Sequence, residues 1–162
     1  MEGFLSALRL ICLLGCACCA GWAAVSDLRC RLIPRASCYG LALLGALYQL
    51  LVWGASSLVA GIAFALGAVA ACRLAMRVWG RRKRRCGKGV QGTPLGGGDV
   101  RLAWALCVAT GAFAPAGMAL CGAVTAAVCI GGVACGRLRW DDGIPLAPFL
   151  ALWPAGSLLA GM

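Results

Sequence analysis

Two aspartates stand out in this 162-residue chain as groups able to do chemistry. The chain has only five acids and no histidine. Asp27 ends the first apolar stretch and begins the block Asp27-Leu28-Arg29-Cys30-Arg31-Leu32-Ile33-Pro34. Asp99 follows Gly96-Gly97-Gly98 and opens another apolar stretch. An ionisable group at the edge of a hydrocarbon segment requires water, a partner or a function. Two carboxylates brought together can share one proton, one serving as base and the other as acid. That is the chemistry of aspartic proteolysis, and it calls for no metal and no cofactor.

The elements that must position these acids follow from composition. The chain is 62% hydrophobic and 12% charged, against about 25% charged in soluble domains. Its apolar stretches approach the roughly 20 residues that a helix needs to cross a bilayer. Backbone groups in lipid must be satisfied within the segment, and no barrel-like alternation is present, so the spans are helices. The expectation is an all-α, polytopic membrane protein forming a single domain over 1–162. Six spans are placed at 4–25, 38–54, 57–76, 99–114, 116–135 and 145–161. The connections at 26–37, 77–98 and 136–144 hold twelve of the fifteen Lys and Arg, and the turns near 55–56 and 115 hold none. By the positive-inside rule the charged connections face the cytoplasm and both termini are external. Arg9 dissents, near the outer end of the first span, and either snorkels outward or faces the bundle interior.

This topology puts Asp27 and Asp99 at the same membrane face and the same depth. It also accounts for the net charge of +10. The cations sit in loops beside hydrophobic spans, where they meet the anionic cytoplasmic leaflet, and no nucleic-acid partner is expected. Glycines within or beside the spans, such as Gly61, Gly67, Gly111 and Gly117, are read as packing positions. The twelve cysteines are read the same way. Cys16 and Cys19 form one C-x-x-C, but no second pair at matching spacing completes a four-ligand zinc site, so no metal is expected.

Three blocks carry the finer argument. Three glycines before Asp99 permit an extended or sharply turned backbone. A protease that cuts a helical substrate can use such a strand to pair with the unwound chain. The same glycines also fit a plain loop ending in an N-cap Asp. Pro34 rules out a continuous helix after Asp27 and re-aims the chain, as would any positive-inside turn. Pro145 and Pro148 in Ile144-Pro145-Leu146-Ala147-Pro148-Phe149-Leu150 hold the entrance of the last span in a fixed shape beside the site, or simply initiate a helix.

Together these blocks resemble the type IV prepilin peptidases, bacterial membrane aspartyl proteases of the GxGD type. The resemblance is carried by Asp27 with Ile33-Pro34, by Gly96-Gly97-Gly98-Asp99-Val100-Arg101-Leu102, and by the Pro145–Leu150 block. It implies that Asp27 and Asp99 are the catalytic pair. It further implies that Gly96, Gly97, Gly98, Arg101, Ile33, Pro34, Pro145 and Pro148 contact substrate. The implied substrate is a prepilin-like membrane protein with a short basic leader, cut after a Gly at the cytoplasmic face of the inner membrane. The position after Ile33-Pro34, often Asn in the family, is Arg35 here. Long members carry a zinc-binding cytosolic insertion and N-methylate the product. The connection between the first two spans has no room for it, so the protease-only form, like those serving tight-adherence or Flp-type pili, is expected.

Other classes remain open on the residues alone. A non-catalytic scaffold of a pilus or secretion assembly would tolerate loss of either aspartate. A proton-coupled transporter would place its acids near midplane and show repeated halves, which are not found. A protease related to signal-peptide peptidase would carry its other aspartate in a Tyr-Asp pair, whereas Ser26 precedes Asp27.

Overall fold

The computed structural model describes residues 2–85, 96–137, 146–154 and 156–157. Ile144 and Pro145, singled out in the sequence, lie outside the described residues. Among the described residues the chain is helical, with no strand. The elements are α1 (Glu2–Cys30), α2 (Arg35–Val52), α3 (Gly54–Arg85), α4 (Gly97–Thr110), a 3-10 turn (Gly111–Phe113), α5 (Ala114–Ala134) and α6 (Ala147–Leu150). Among the described residues four helical stretches are long and apolar enough to cross a membrane: Gly3–Cys30, Arg35–Val52, Gly54–Val78 and Gly97–Ala134. Much of their surface is apolar and turned outward, as at Leu43, Leu66 and Ile130. That is the surface a hydrocarbon solvent requires.

The stretch Gly97–Ala134 folds back on itself. Gly111 has φ +58°, a left-handed conformation that glycine adopts without a Cβ clash. Trp153 donates from Nε1 to Thr110 Oγ1 at 3.1 Å, and a Cβ on Gly117 would run into the Trp153 ring. Further along, Cys121 Sγ bonds Phe149 O at 3.1 Å. As α5 proceeds from 117 to 121, its partners retreat from 153 to 149, so it runs antiparallel to the C-terminal segment and back alongside α4. The reversal lies at Gly111–Phe113, earlier than the turn expected near 115. Pro115 instead sits in the first turn of α5, where a missing N–H costs no helical bond.

α4 is the hub. It packs against α2, α3, α5 and α6, and its Leu102, Ala105, Leu106, Cys107 and Val108 are buried. Close approach there depends on small residues. A Cβ on Gly45 would meet Ala109 Cβ and Cα, and one on Gly61 would lie 2.6 Å from Cys107 O and 2.7 Å from Gly111 Cα. Gly67, by contrast, has nothing within 4 Å.

The end of the bundle remote from the charged connections is tied by neutral polar groups. Gln49 Nε2 donates to Ala109 O at 2.9 Å, Ser57 Oγ donates to Gln49 Oε1 at 2.8 Å, and Ala112 N–H donates to Ser57 Oγ at 3.1 Å. Trp53 meets Phe113 edge to face at 5.1 Å between centroids. Arg9 does not merely snorkel: its guanidinium donates to Leu51 O at 3.0 Å, one of the carbonyls that the last turn of α2 leaves without a helical partner.

The last segment departs from the regular span expected over 145–161. Its described part is a short helix, Ala147–Leu150, followed by a turn at 151–152 and further helical residues. Pro154 has no N–H to give to Leu150 O, so a regular ladder cannot pass through it.

Overpacking at the α4 contacts has a definite expected cost. Gly45→Ala and Gly61→Ala each place a methyl on backbone or Cβ atoms of a neighbouring helix and should destabilise by about 1–3 kcal/mol. Gly67→Ala, facing open space, should be neutral or better. Thermal unfolding of the detergent-solubilised variants separates the two groups, and equal midpoints for all three would refute the packing.

Candidate active site

The three sequence blocks meet at the charged end of the bundle, and each is brought there by a local device. α1 ends at Cys30, where Arg31 takes a left-handed φ of +52°. Arg31 N–H still bonds Asp27 O at 2.9 Å, while Ser26 Oγ donates to Leu32 O at 2.7 Å and clasps the connection against the helix. Pro34 is extended (φ −62°, ψ 134°) and caps α2, and the buried Ser37 donates to its carbonyl at 2.8 Å. The chain is thus turned back within residues 31–34, with Ile33 directed into the bundle.

Ile33 lands on the glycine block. A Cβ on Gly98 would lie 3.2 Å from Ile33 Cβ and 3.4 Å from its Cγ1 and Cδ1, tighter than ordinary contact. Gly98 therefore serves as the floor on which Ile33 rests. Gly96 does something different. It is the N-cap of α4, extended at φ −68°, ψ 141°, and its N–H is bonded by the Asp99 carboxylate, which reaches back from the third helical position. This is the reciprocal half of a capping box, with Asp in place of the usual Glu or Gln. A Cβ on Gly96 would lie 2.8 Å from Asp99 Oδ2. Gly97 has nothing within 4 Å and is exposed.

Only Gly96 is extended. Gly97 and Gly98 already belong to α4, so the strand expected over the glycine run is confined to its first residue. Nor is Asp99 an N-cap, since Gly96 takes that position.

Asp27 is 7% exposed, the one charged residue buried among those described. Its Oδ2 accepts from Ala147 N–H at 3.1 Å. That bond ties the end of α1 to the start of α6 and brings the C-terminal block to the site, with Pro148 in the first turn of α6. Asp99 is half-buried, and Asp27 stands near enough for its charge to act on the Asp99 carboxyl.

Asp99 opens onto an apolar chamber of about 410 Å³ between α3, α4, α5 and the C-terminal segment. Trp104, Met118, Leu146 and Trp153 are among its walls, and among the described residues Asp99 is its only charged lining residue. Nothing in the sequence marks it, because its walls are ordinary apolar residues drawn from four segments. Arg101, two residues past Asp99, faces a separate cavity beside Arg35 and Arg73. The cysteines are dispersed, and among the described residues no three metal-ligating side chains gather.

A helical bundle with an apolar exterior and two carboxylates near one end describes a membrane protein with a candidate two-aspartate site. The particular family follows from sequence comparison. The profile of the type IV leader peptidase family matches residues 13–135, and the chain belongs to that family. The match takes in Asp27, Ile33-Pro34 and the Gly96–Arg101 block, whereas the Pro145–Leu150 block lies beyond it. No curated protein and no solved structure matches the chain.

The glycine geometry separates three neighbours that look alike in sequence. Gly96→Ala pushes a methyl against the Asp99 carboxylate and should lower leader cleavage by about 10²-fold, the scale of a 1 Å misplacement, with the fold retained. Gly97→Ala should stay within about threefold of the parent, a shift under 1 kcal/mol in barrier. Gly98→Ala should fall between them, because Ile33 must give by a few tenths of an ångström. Initial rates on one precursor, beside thermal midpoints, decide the order.

Proposed function

We propose that this protein is an intramembrane aspartic endopeptidase that removes the short basic leader of prepilin-like precursors. The observation that carries the reading is the convergence of Asp27 and Asp99, from separate helices, on one end of the bundle where an apolar chamber begins. An ionised carboxylate of the pair takes a proton from a bound water, and the resulting hydroxide attacks the scissile carbonyl. The protonated partner donates to the carbonyl oxygen to give a tetrahedral diol; the carboxyl that took the water proton then passes it to the leaving amine as the C–N bond breaks, and the partner recovers a proton from a diol hydroxyl. The proton belongs to the pair, so base and acid are not distributed between the two residues.

The shape of the site suits the substrate class that the family resemblance implies. The hydrophobic helix that follows the cut would lie in the chamber, and the polar leader would remain outside. Gly96 and Gly97, exposed at the start of α4, leave room for substrate backbone beside Asp99. In this reading Gly98, Ile33, Pro34 and Pro148 shape the walls, and Arg101 stands two residues beyond Asp99 on the same helix. The basic connections would repel a basic leader and are given no part in holding it.

The membrane arrangement belongs to the same proposal. Six spans, made by counting α4, α5 and the C-terminal segment as three crossings, put the charged connections and the aspartates at the cytoplasmic face of a bacterial inner membrane. Residues 31–34, all that separates α1 from α2, leave no space for a zinc-binding insertion, which favours a protease without N-methylation, as in tight-adherence or Flp-type systems. The second reading, a non-catalytic scaffold in a pilus or secretion assembly, is favoured only by the plain structural role of Asp27 as acceptor for Ala147 N–H.

Co-expression with a pilin precursor, with the leader followed by mass spectrometry, separates the two. Asp27→Asn and Asp99→Asn should each lower cleavage after the leader Gly by about 10²–10⁴-fold, the range for loss of a general acid or base, at unchanged protein levels. Precursor processed normally by both variants would remove the peptidase reading and leave the scaffold.

A further inference from the structure

A second cavity, of about 340 Å³, lies where α2, α3 and α4 meet, and three arginines from these three helices line it: Arg35, Arg73 and Arg101. All three are exposed, and neither Asp27 nor Asp99 lines the cavity. Three guanidinium groups gathered round one hollow repel one another, and the repulsion grows as the surroundings lose water. An anion in the hollow reverses its sign. Guanidinium forks are the side chains best matched in geometry to phosphate oxygens.

The rest of the lining narrows the anion. Tyr39 and Trp104 stand beside the arginines, the ring types favoured where membrane meets water. Leu66 and Val69 continue the wall, and Leu66 lies two turns from Arg73 on α3, about 10 Å along the helix axis. Leu66 is 62% exposed and Trp104 37%, so this part of the wall is open to the hydrocarbon side. The cavity is thus cationic at one level and apolar below it. A free phosphate would use the upper level only, whereas a phospholipid uses both.

We propose that this cavity binds an anionic phospholipid, with its phosphate held by Arg35, Arg73 and Arg101 and an acyl chain lying over Leu66 and Trp104. The site is independent of the peptidase reading. Its placement nevertheless matters to the aspartates. Arg35 follows Ile33 by two residues, Arg101 follows Gly98 by three, and Ile33 rests on Gly98. One lipid bridging Arg35 and Arg101 would clamp that contact from outside.

The test uses the full chain in phosphatidylcholine vesicles containing phosphatidylglycerol brominated on its acyl chains, which quenches a tryptophan that it touches. The parent minus Trp104→Phe isolates the signal of Trp104. Brominated phosphatidylglycerol should quench Trp104 at about one-tenth the mole fraction that brominated phosphatidylcholine needs, a preference of the size of one charged hydrogen bond. Arg35→Gln/Arg73→Gln should abolish that preference, while quenching by brominated phosphatidylcholine stays unchanged and reports an intact bundle. If that variant does not fold, Arg35→Lys/Arg73→Lys decides, keeping the charge but losing the fork and most of the preference. Arg77→Gln, one turn beyond Arg73 and outside the cavity, should retain it. Equal quenching by the two lipids, or an equal loss in Arg77→Gln, would mean diffuse surface charge and overturn the site. Relief of quenching by millimolar inorganic phosphate would give the cavity to the free ion and overturn the lipid.

Discussion

The bond from Ala147 N–H to Asp27 Oδ2 is the constraint on which the charged end of this bundle depends. A carboxylate taken out of water costs several kcal/mol unless it finds donors or a partner charge. Asp27 can be buried because the C-terminal segment arrives with a free first-turn N–H to offer. That arrival also seats Leu150 and Trp153 in the core, where Trp153 fills the space beside Gly117 and bonds Thr110. The position of α6, the walls of the chamber and the placement of one aspartate are therefore coupled, with the Trp153–Thr110 and Cys121–Phe149 bonds holding the same segment along α4 and α5.

The two ends of the bundle are built on different terms. The end carrying Gln49, Ser57 and Gly111 is closed by neutral hydrogen bonds among groups that all find partners, and it fixes α2, α3 and α4 relative to one another. In a solvent that supplies no hydrogen bonds, such a network holds helices where hydrophobicity alone cannot. The charged end is held by small contacts: Ile33 on Gly98, Asp99 on the Gly96 N–H, and Ala147 on Asp27. It leaves Gly96 and Gly97 exposed and opens onto a chamber.

Particular residues show how far the sequence could be read. Asp27 and Asp99 were legible because charge is rare in this chain and costly in lipid, so each acid invites a reason. The order of the helical segments was legible from runs of apolar residues between cations. The run Gly96-Gly97-Gly98 was legible only as a permissive stretch, and its three members differ for reasons that lie elsewhere in the chain: the Asp99 side chain, open space, and Ile33. The reversal at Gly111 was masked by the nearby Pro115, a stronger turn signal that here starts a helix. The irregular last segment was hidden because hydropathy does not register the hydrogen bond that Pro154 removes. The partner of Arg9, a carbonyl at the end of α2, could not be guessed from α1 at all.

By itself the sequence determined that the protein is helical, that its apolar faces belong in a membrane, and that two carboxylates are its scarce reactive groups. These are one-dimensional properties, set by hydropathy, charge and spacing along a single segment. Only the tertiary structure decided that both carboxylates come to one place, which glycine serves which, and where a chamber and a cluster of three arginines form. Each of those depends on helices far apart in the chain approaching to within contact distance. Such an approach is governed by the absence of a Cβ here and a spare N–H there, features that acquire meaning only opposite the residue they meet.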